Sequence, residues 1–197
     1  MSDPNRRDVV GTAAALEILE SAWSARRASF ELPEGEQRAA LASVRADLDR
    51  AADTLRNAGQ VVHYAHALHL GAHVAMDVGD VEAAEKRWRE AVSLLRSSGQ
   101  PLELAHKLRH VGDLEVARGD LDEAGRHYEE ALALYRDHAG SGDLSHANAV
   151  RRAALLSERR GDVEEARTLW AEARQRYVEA GLSQGVAEAD EHLEGLG

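Results

Sequence analysis

The chain has 197 residues, with 44% hydrophobic but only 4% aromatic side chains, no cysteine and a formal net charge of −11. The absence of cysteine excludes disulfides and thiolate metal sites, and the negative charge opposes binding to nucleic acid and to anionic membranes. No stretch approaches the ~20 consecutive apolar residues of a membrane span, and the N-terminus lacks the apolar core of a signal peptide. We therefore expect a cytoplasmic protein of one domain, without nucleic-acid or membrane partners.

The N-terminal part of the chain is predicted to be a helical hairpin that diverges from the rest. Residues 1–8 are expected to form a flexible N-terminus and residues 9–59 the hairpin, with its first helix beginning at Val9. The segment Leu55–Gln60 shares its leucine, arginine, glycine and glutamine positions with Leu95–Gln100. The hairpin is therefore interpreted as a degenerate copy of the units that follow.

Three copies of one pattern come next: Gly-Asp, three residues, Ala, three residues, Trp or Tyr, two residues and Ala. They begin at Gly79, Gly119 and Gly161, with spacings of 40 and 42 residues. Such a period is typical of stacked helix pairs, and each Gly-Asp step marks the turn between the two helices of a pair. The predicted boundaries are residues 60–99, 100–140 and 141–181 for the three repeats and 182–197 for a C-terminal capping helix.

Two of these turns also have the spacing of a capping box. Asp120 is followed by Glu123 and Asp162 by Glu165, whereas Asp80 lacks the distal glutamate. A capping aspartate accepts hydrogen bonds from the free N–H groups at the start of a helix. Asp120 and Asp162 are therefore expected to cap the second helices of their repeats.

These residues resemble the tetratricopeptide repeat (TPR) family, whose repeats have a small residue in the first helix, a Gly-Asp or Gly-Asn turn, and Ala, an aromatic residue and Ala in the second helix. The resemblance covers about residues 60–181, with a period longer than the usual ~34 residues, as in some bacterial regulators and eukaryotic scaffold proteins. It implies an all-α, right-handed superhelical solenoid of antiparallel helix pairs. Trp88, Tyr128 and Trp170 would then belong to the core.

The resemblance also implies a ligand face, because the first helices of TPR arrays line a concave groove. Arg109 and Arg151 occupy equivalent positions there, and two guanidiniums suit a ligand that bears carboxylates. We expect a peptide or protein segment with acidic groups, its basic end lying by the acidic closing helix. By the register of the Gly-Asp turns, the expected groove residues are His66, His69, His73, Asp77, His106, Arg109, Asp113, Asn148, Arg151, Arg159, Glu188 and Glu191.

The histidines of this set allow two other interpretations. His69 and His73 have i, i+4 spacing, His66 lies one turn earlier, and His106 could add a fourth imidazole, so the four are candidate metal ligands. The same density of histidines would suit a pH sensor. His69 is not followed by the glutamate of zinc peptidases, so the pattern does not indicate hydrolysis.

The sequence contains no phosphate loop, nucleophile elbow or cysteine nucleophile, and we predict a non-catalytic adaptor without a cofactor. Three alternatives remain: a sensor of a small ligand or metal, a self-associating scaffold, and a solvated face whose arginines pair with neighbouring carboxylates.

Overall fold

The computed structural model describes residues 4–197, with side chains from residue 10 onward, and these residues form nine α-helices and no strand. None of the nine combines the length and hydropathy needed to cross a membrane. The helices are α1 (Pro4–Ser29), α2 (Glu34–Asn57), α3 (Val61–Asp77), α4 (Val81–Leu95), α5 (Pro101–Arg118), α6 (Leu121–His138), α7 (Leu144–Arg160), α8 (Val163–Glu179) and α9 (Ser183–Gly195).

The helices fall into two compact units, unit 1 up to Gln100 and unit 2 from Pro101 to Gly197. In unit 1, α1 packs against α2, α2 against α3, and α3 against α4. In unit 2, α5 packs against α6, α6 against α7, α7 against α8, and α8 against α9. Because short turns join consecutive helices, each neighbouring pair is antiparallel.

The N-terminal boundary differs from the expectation. Helix α1 begins at Pro4, not at Val9, so residues 4–8 are helical where a flexible N-terminus was predicted. Proline suits the first turn of a helix, since its fixed φ is helical and its missing N–H has no partner there in any case. The remaining predicted N-terminal residues, 1–3, lie outside the described part of the chain.

The Gly-Asp steps lie at the turns between the paired helices. Gly79, Gly119 and Gly161 have φ values of 77°, 86° and 79°, in the left-handed region that glycine adopts without steric cost. After the first of these turns, Asp80 accepts a hydrogen bond from the backbone N–H of Ala83 at 3.2 Å and so caps α4. The predicted role of the motif as a helix break is confirmed.

The predicted capping boxes are wrong. Neither Asp120 nor Asp162 makes a side-chain cap hydrogen bond, and of the three Gly-Asp aspartates only Asp80, which lacks a distal glutamate, caps its helix. The two glutamates have other partners: Glu123 pairs with an arginine one turn later in α6, and Glu165 accepts from a serine hydroxyl of α7. A capping box needs this glutamate to reach back to the N-cap, and here it is engaged elsewhere.

The core of both units is built mainly from alanine, leucine and valine side chains, with a few aromatic rings among them. The alanines of the repeat motif are fully buried, and so are the aromatic residues Trp88, Tyr128 and Trp170. Close helix packing allows these rings to reach the first helix of their own pair, where their polar atoms find hydrogen-bond partners. The predicted core role of the aromatic residues is confirmed.

We expect Gly112→Ala to lower the free energy of unfolding by up to about 2 kcal/mol. An alanine Cβ at Gly112 would lie 2.5 Å from Cε1 of Tyr128, a ring that is buried and anchored through its hydroxyl to Asp113. Overpacking costs about 1–3 kcal/mol and outweighs a gain in helix propensity of about 1 kcal/mol. Urea denaturation measures the change. Gly35→Ala is the matched control, because nothing lies within 4 Å of the position that its Cβ would take. This control should leave the free energy of unfolding unchanged or raise it. Equal effects of the two variants would contradict the prediction.

Candidate functional site

The histidines of α3 lie in a cluster of rings within unit 1. His69 is buried, and its Nδ1 accepts a hydrogen bond from the indole N–H of Trp88 at 3.0 Å. His73 lies edge-on to His69 at 4.6 Å and to Trp23 at 5.4 Å, while His66 stacks beside His69 at 6.3 Å. His69 is therefore part of the packing of the hairpin. A metal site at these residues stays a prediction, with one ring nitrogen of His69 already engaged.

Asp77, a predicted groove residue, joins α3 to α1. The guanidinium of Arg26 donates to both of its carboxylate oxygens, at 2.5 Å and 2.7 Å, and both side chains are more than four-fifths buried. The same guanidinium lies 4.7 Å from the ring centre of Trp23. Sequence reasoning missed Arg26, because no local pattern connects residues so far apart in the chain.

In unit 2, three donors converge on the carboxylate of Asp113. The hydroxyl of Tyr128 donates at 2.7 Å, Arg109 of the same helix donates at 3.2 Å, and Arg152 of α7 lies at 3.4 Å. Burial raises the pKa of Tyr128, and the neighbouring carboxylate raises it further, so this hydroxyl stays protonated and acts as a donor. The predicted residues Arg109 and Asp113 are thus brought together.

The three donors differ in how accessible they are. The side chain of Arg109 is 12% exposed, and burial lowers its pKa while Asp113 opposes that shift. Arg152 is 41% exposed, and it was missed because the register argument selected its neighbour Arg151 as the equivalent of Arg109. Arg152 is the donor of this group that solvent reaches most easily.

Arg151, predicted to bind a ligand carboxylate, and Glu188, predicted to lie by the basic end of the ligand, pair with each other. The guanidinium of Arg151 donates two hydrogen bonds to the carboxylate of Glu188 on α9, one of them at 2.7 Å. These bonds hold the pKa of Glu188 below its usual range. The arginine predicted to grip a ligand carboxylate already holds a carboxylate of its own chain.

The other predicted residues of unit 2 lie on the same helices. Asn148 accepts a hydrogen bond from the hydroxyl of Tyr177 at 2.9 Å, and His106 stacks on His110 with ring centres 5.1 Å apart. Arg159 and Glu191 are exposed. We name the surface formed by α5, α7 and α9 in unit 2 the first-helix face, defined by Arg109, Asp113, Arg151, Arg152 and Glu188.

Helix α9 closes this face through a second set of contacts. His192 stacks on the ring of Trp170, with ring centres 4.1 Å apart and planes 15° from parallel. Glu158 accepts hydrogen bonds from the indole of Trp170 and, at 2.8 Å, from Nδ1 of His192. Because the bond from Nδ1 needs a proton there, this contact fixes the proton position on His192. Glu158 thereby ties α7, α8 and α9 together.

Comparisons with known proteins agree with the predicted repeat fold. The structure is similar to a crystal structure of a Podosopora anserina protein described as a kinesin light chain with nearly identical TPR-like repeats, with a TM-score of 0.65 and 14% identity over 100% of this chain and 97% of that one. A single-substitution variant of that protein gives a TM-score of 0.65 and 15% identity over 92% and 95% of the two chains. The structure of BtubC (BKLC) from P. vanneervenii gives a TM-score of 0.55 and 15% identity over 99% and 91%.

At this level of identity the neighbours establish the fold alone, and the predicted all-α, TPR-like repeat fold is confirmed. No curated protein matches the sequence significantly. The family model of the soluble NSF attachment protein, SNAP, matches residues 38–190, a segment that extends from α2 into α9. Since this match covers most of the sequence, the chain belongs to the soluble NSF attachment protein family.

Proposed function

We propose that this chain is a non-catalytic protein-interaction module, and that the first-helix face of unit 2 binds a segment of a partner protein that carries acidic groups. The observation that carries the proposal is the excess of donors around Asp113. Two guanidiniums and a tyrosine hydroxyl face one carboxylate, so this part of the face carries a local positive charge in a chain whose net charge is −11.

The family and the fold support a protein as the class of partner. The family is named for attachment to NSF, and TPR-like helix pairs expose long helix faces suited to chain segments. The similar solved structures support only the fold, so the class of partner segment has to be inferred from the residues of this chain. Those residues favour an acidic segment.

The local geometry supports Arg152 as the residue that first meets the ligand. Its contact with Asp113 is the longest of the three, and Asp113 keeps Tyr128 and Arg109 when Arg152 turns away. A ligand carboxylate can therefore recruit this guanidinium without leaving Asp113 unpaired. Charge-assisted bonds from arginine to carboxylate are stronger than neutral hydrogen bonds, and they can be bidentate.

The titratable groups of the face support binding more than catalysis. Asp113 and Glu158 each accept from several donors within the fold, and His192 is fixed by Glu158 and the ring of Trp170. Proton transfer needs a group that can exchange its proton with a substrate. Asp113, Glu158 and His192 are instead engaged in contacts that hold the helices together.

We expect Arg152→Ala to weaken the binding of a glutamate-rich peptide by about tenfold or more, which corresponds to about 1.4 kcal/mol. The probe is a short fluorescein-labelled peptide rich in glutamate, titrated with the full chain and followed by fluorescence anisotropy. Arg126→Ala is the matched control, because Arg126 is an exposed arginine of the same unit that pairs with Glu123 on α6. This control should leave the affinity unchanged.

Two results would overturn the proposed function. One is equal affinity of the wild-type and Arg152→Ala chains for the glutamate-rich peptide. The other is equal affinity of the wild-type chain for the glutamine counterpart of that peptide, which would show that carboxylates are not recognised. Higher ionic strength should weaken the binding, because an exposed guanidinium is screened by salt.

A further inference from the structure

We propose that the surface beneath α9 is a docking seat for an acidic helix of a partner protein, and that α9 is the occupant that the chain itself supplies. The α9 seat consists of Arg151, Arg167, Trp170, Arg174 and Tyr177. The inference rests on the proposed function only in taking the partner to be a protein. The α9 seat shares Arg151 with the first-helix face but does not include Asp113 or Arg152.

The floor of the α9 seat consists of two aromatic rings of α8. Trp170 and Tyr177 are fully buried, and α9 contributes to covering both. Hydrogen bonds to α7 hold the rings in place, from Trp170 to Glu158 and from Tyr177 to Asn148. When α9 leaves, two fixed aromatic rings come into contact with water, and rigid aromatic surface of this kind is typical of binding hot spots.

Three arginines around these rings favour an occupant with negative charge. Arg151 holds Glu188, and Arg174 donates to Asp190 at 2.5 Å. With α9 removed, the seat would present three guanidiniums and the carboxylate of Glu158 beside an apolar floor, so positive charge would remain in excess. A helix with acidic residues spaced like those of α9 has the complementary charge.

The third arginine indicates that the occupant is a helix. Arg167 donates to the backbone carbonyl of Leu196, the C-cap residue of α9, at 2.6 Å. The last carbonyls of a helix lack intrahelical partners and form the negative end of its dipole, so a guanidinium at this point recognises a helix C-terminus.

The fit of α9 to the seat also requires a small residue. A Cβ at Gly185 would lie 2.5 Å from Cγ of Tyr177 and within 2.7 Å of both Cδ atoms of that ring. Ala189, one helical turn later, is fully buried. The partner helix should therefore place glycine over Tyr177 and a small residue four positions later.

Helix α9 is held weakly enough to be replaced. Its 13 residues include only two that are buried, Gly185 and Ala189, whereas α7 and α8 bury eight and four. The side chains in its ion pairs with Arg151 and Arg174 are between 25% and 45% exposed, and pairs of this kind contribute only about 0–1 kcal/mol each. Local opening is expected at such elements before the rest of the unit unfolds.

The test uses the full chain and a labelled peptide with the sequence of residues 183–197. In the wild-type chain, α9 occupies the seat and the peptide competes poorly. In the Gly185→Ala chain, the clash with Tyr177 should unseat α9 without changing any charge, while the added peptide keeps its glycine. We expect the peptide to bind this variant at least about tenfold more tightly than the wild-type chain, a difference of about 1.4 kcal/mol. Glu188→Gln in the chain, which weakens the pair with Arg151, should act in the same direction.

Two further measurements make the test decisive. Hydrogen exchange of the α9 amides should be faster in both variants, and a peptide with glutamine at the positions of Glu188 and Asp190 should lose the gain in affinity. Faster exchange without a gain in peptide affinity would overturn the α9 seat, and so would unchanged exchange in both variants. Arg152 acts on Glu188 only through its charge, so adding Arg152→Ala to the Gly185→Ala chain should lower the peptide affinity far less than adding Arg174→Ala, which removes the donor to Asp190. The α9 seat and the proposed function are thus tested by different arginines.

Discussion

Replacing Trp170 with alanine is expected to lower the free energy of unfolding by about 3–5 kcal/mol. The indole is fully buried between α7, α8 and α9, and its N–H donates to Glu158. Removal of the ring would leave a cavity, take a donor away from a partly buried carboxylate, and deprive His192 of the surface on which it stacks. Urea denaturation of the full chain followed by circular dichroism measures the loss.

Trp23→Ala is the matched control for this prediction. Trp23 is also a tryptophan in a helix, but it is 43% exposed, so its removal creates a smaller cavity. The loss at Trp23 should be clearly smaller than the loss at Trp170. Equal losses would show that burial beneath α9 does not determine the cost, and would contradict the prediction.

The repeat architecture could be predicted from the sequence because its signals are local and recur. The Gly-Asp pattern places a residue of left-handed conformation at each turn, and the alanines and aromatic residues after it mark the buried side of the second helix. Because the three copies share one register, together they predict the order of helices α3 to α8. A single copy would have been a weak signal.

The contacts of the candidate site could not be predicted in the same way. A register argument places Arg151 and Arg109 on one face, but it does not say which carboxylate each guanidinium reaches. Arginine side chains are long, and their choice among nearby carboxylates depends on distances between helices that the sequence does not give. One signal was present: Tyr128 was expected in the core, and a buried hydroxyl needs a partner, which Asp113 supplies.

For the closing helix α9, too, the sequence predicted the element but not the contacts of its side chains. Its position after the third repeat and its acidic composition were predicted from the sequence, with Glu188 and Glu191 expected among the groove residues. In the structure Glu191 and Glu194 are exposed, whereas Glu188 and Asp190 pair with arginines of α7 and α8. Net charge identified an acidic segment, but it could not separate the two acids that hold the helix from the two that face solvent.

Acidification from about pH 6.5 to about pH 4 is expected to destabilise the chain by roughly 3 kcal/mol through one residue, His146. The imidazole is buried and stacks on Tyr135 with ring centres 5.3 Å apart. Burial, together with the charge of Arg176, lowers its pKa to about 4, while Glu172 opposes the shift. Because the folded-state pKa lies below the unfolded value, the unfolded chain binds more protons in this range, and stability is complete above about pH 6.5 and falls as the pH approaches 4.

His146→Phe is the variant that tests this prediction, because phenylalanine keeps the flat ring on Tyr135 and cannot be protonated. Both ring nitrogens of His146 lack a hydrogen-bond partner, so the substitution removes two unsatisfied buried atoms and should not destabilise the chain at neutral pH. Urea denaturation at several pH values between about 4 and 8 should then give a flatter pH dependence than in the wild-type chain. His138→Gln, at an exposed position of α6, should keep the wild-type dependence. If the His146→Phe chain loses stability on acidification as steeply as the wild-type chain, the acid sensitivity arises at other groups and the role given to His146 is wrong.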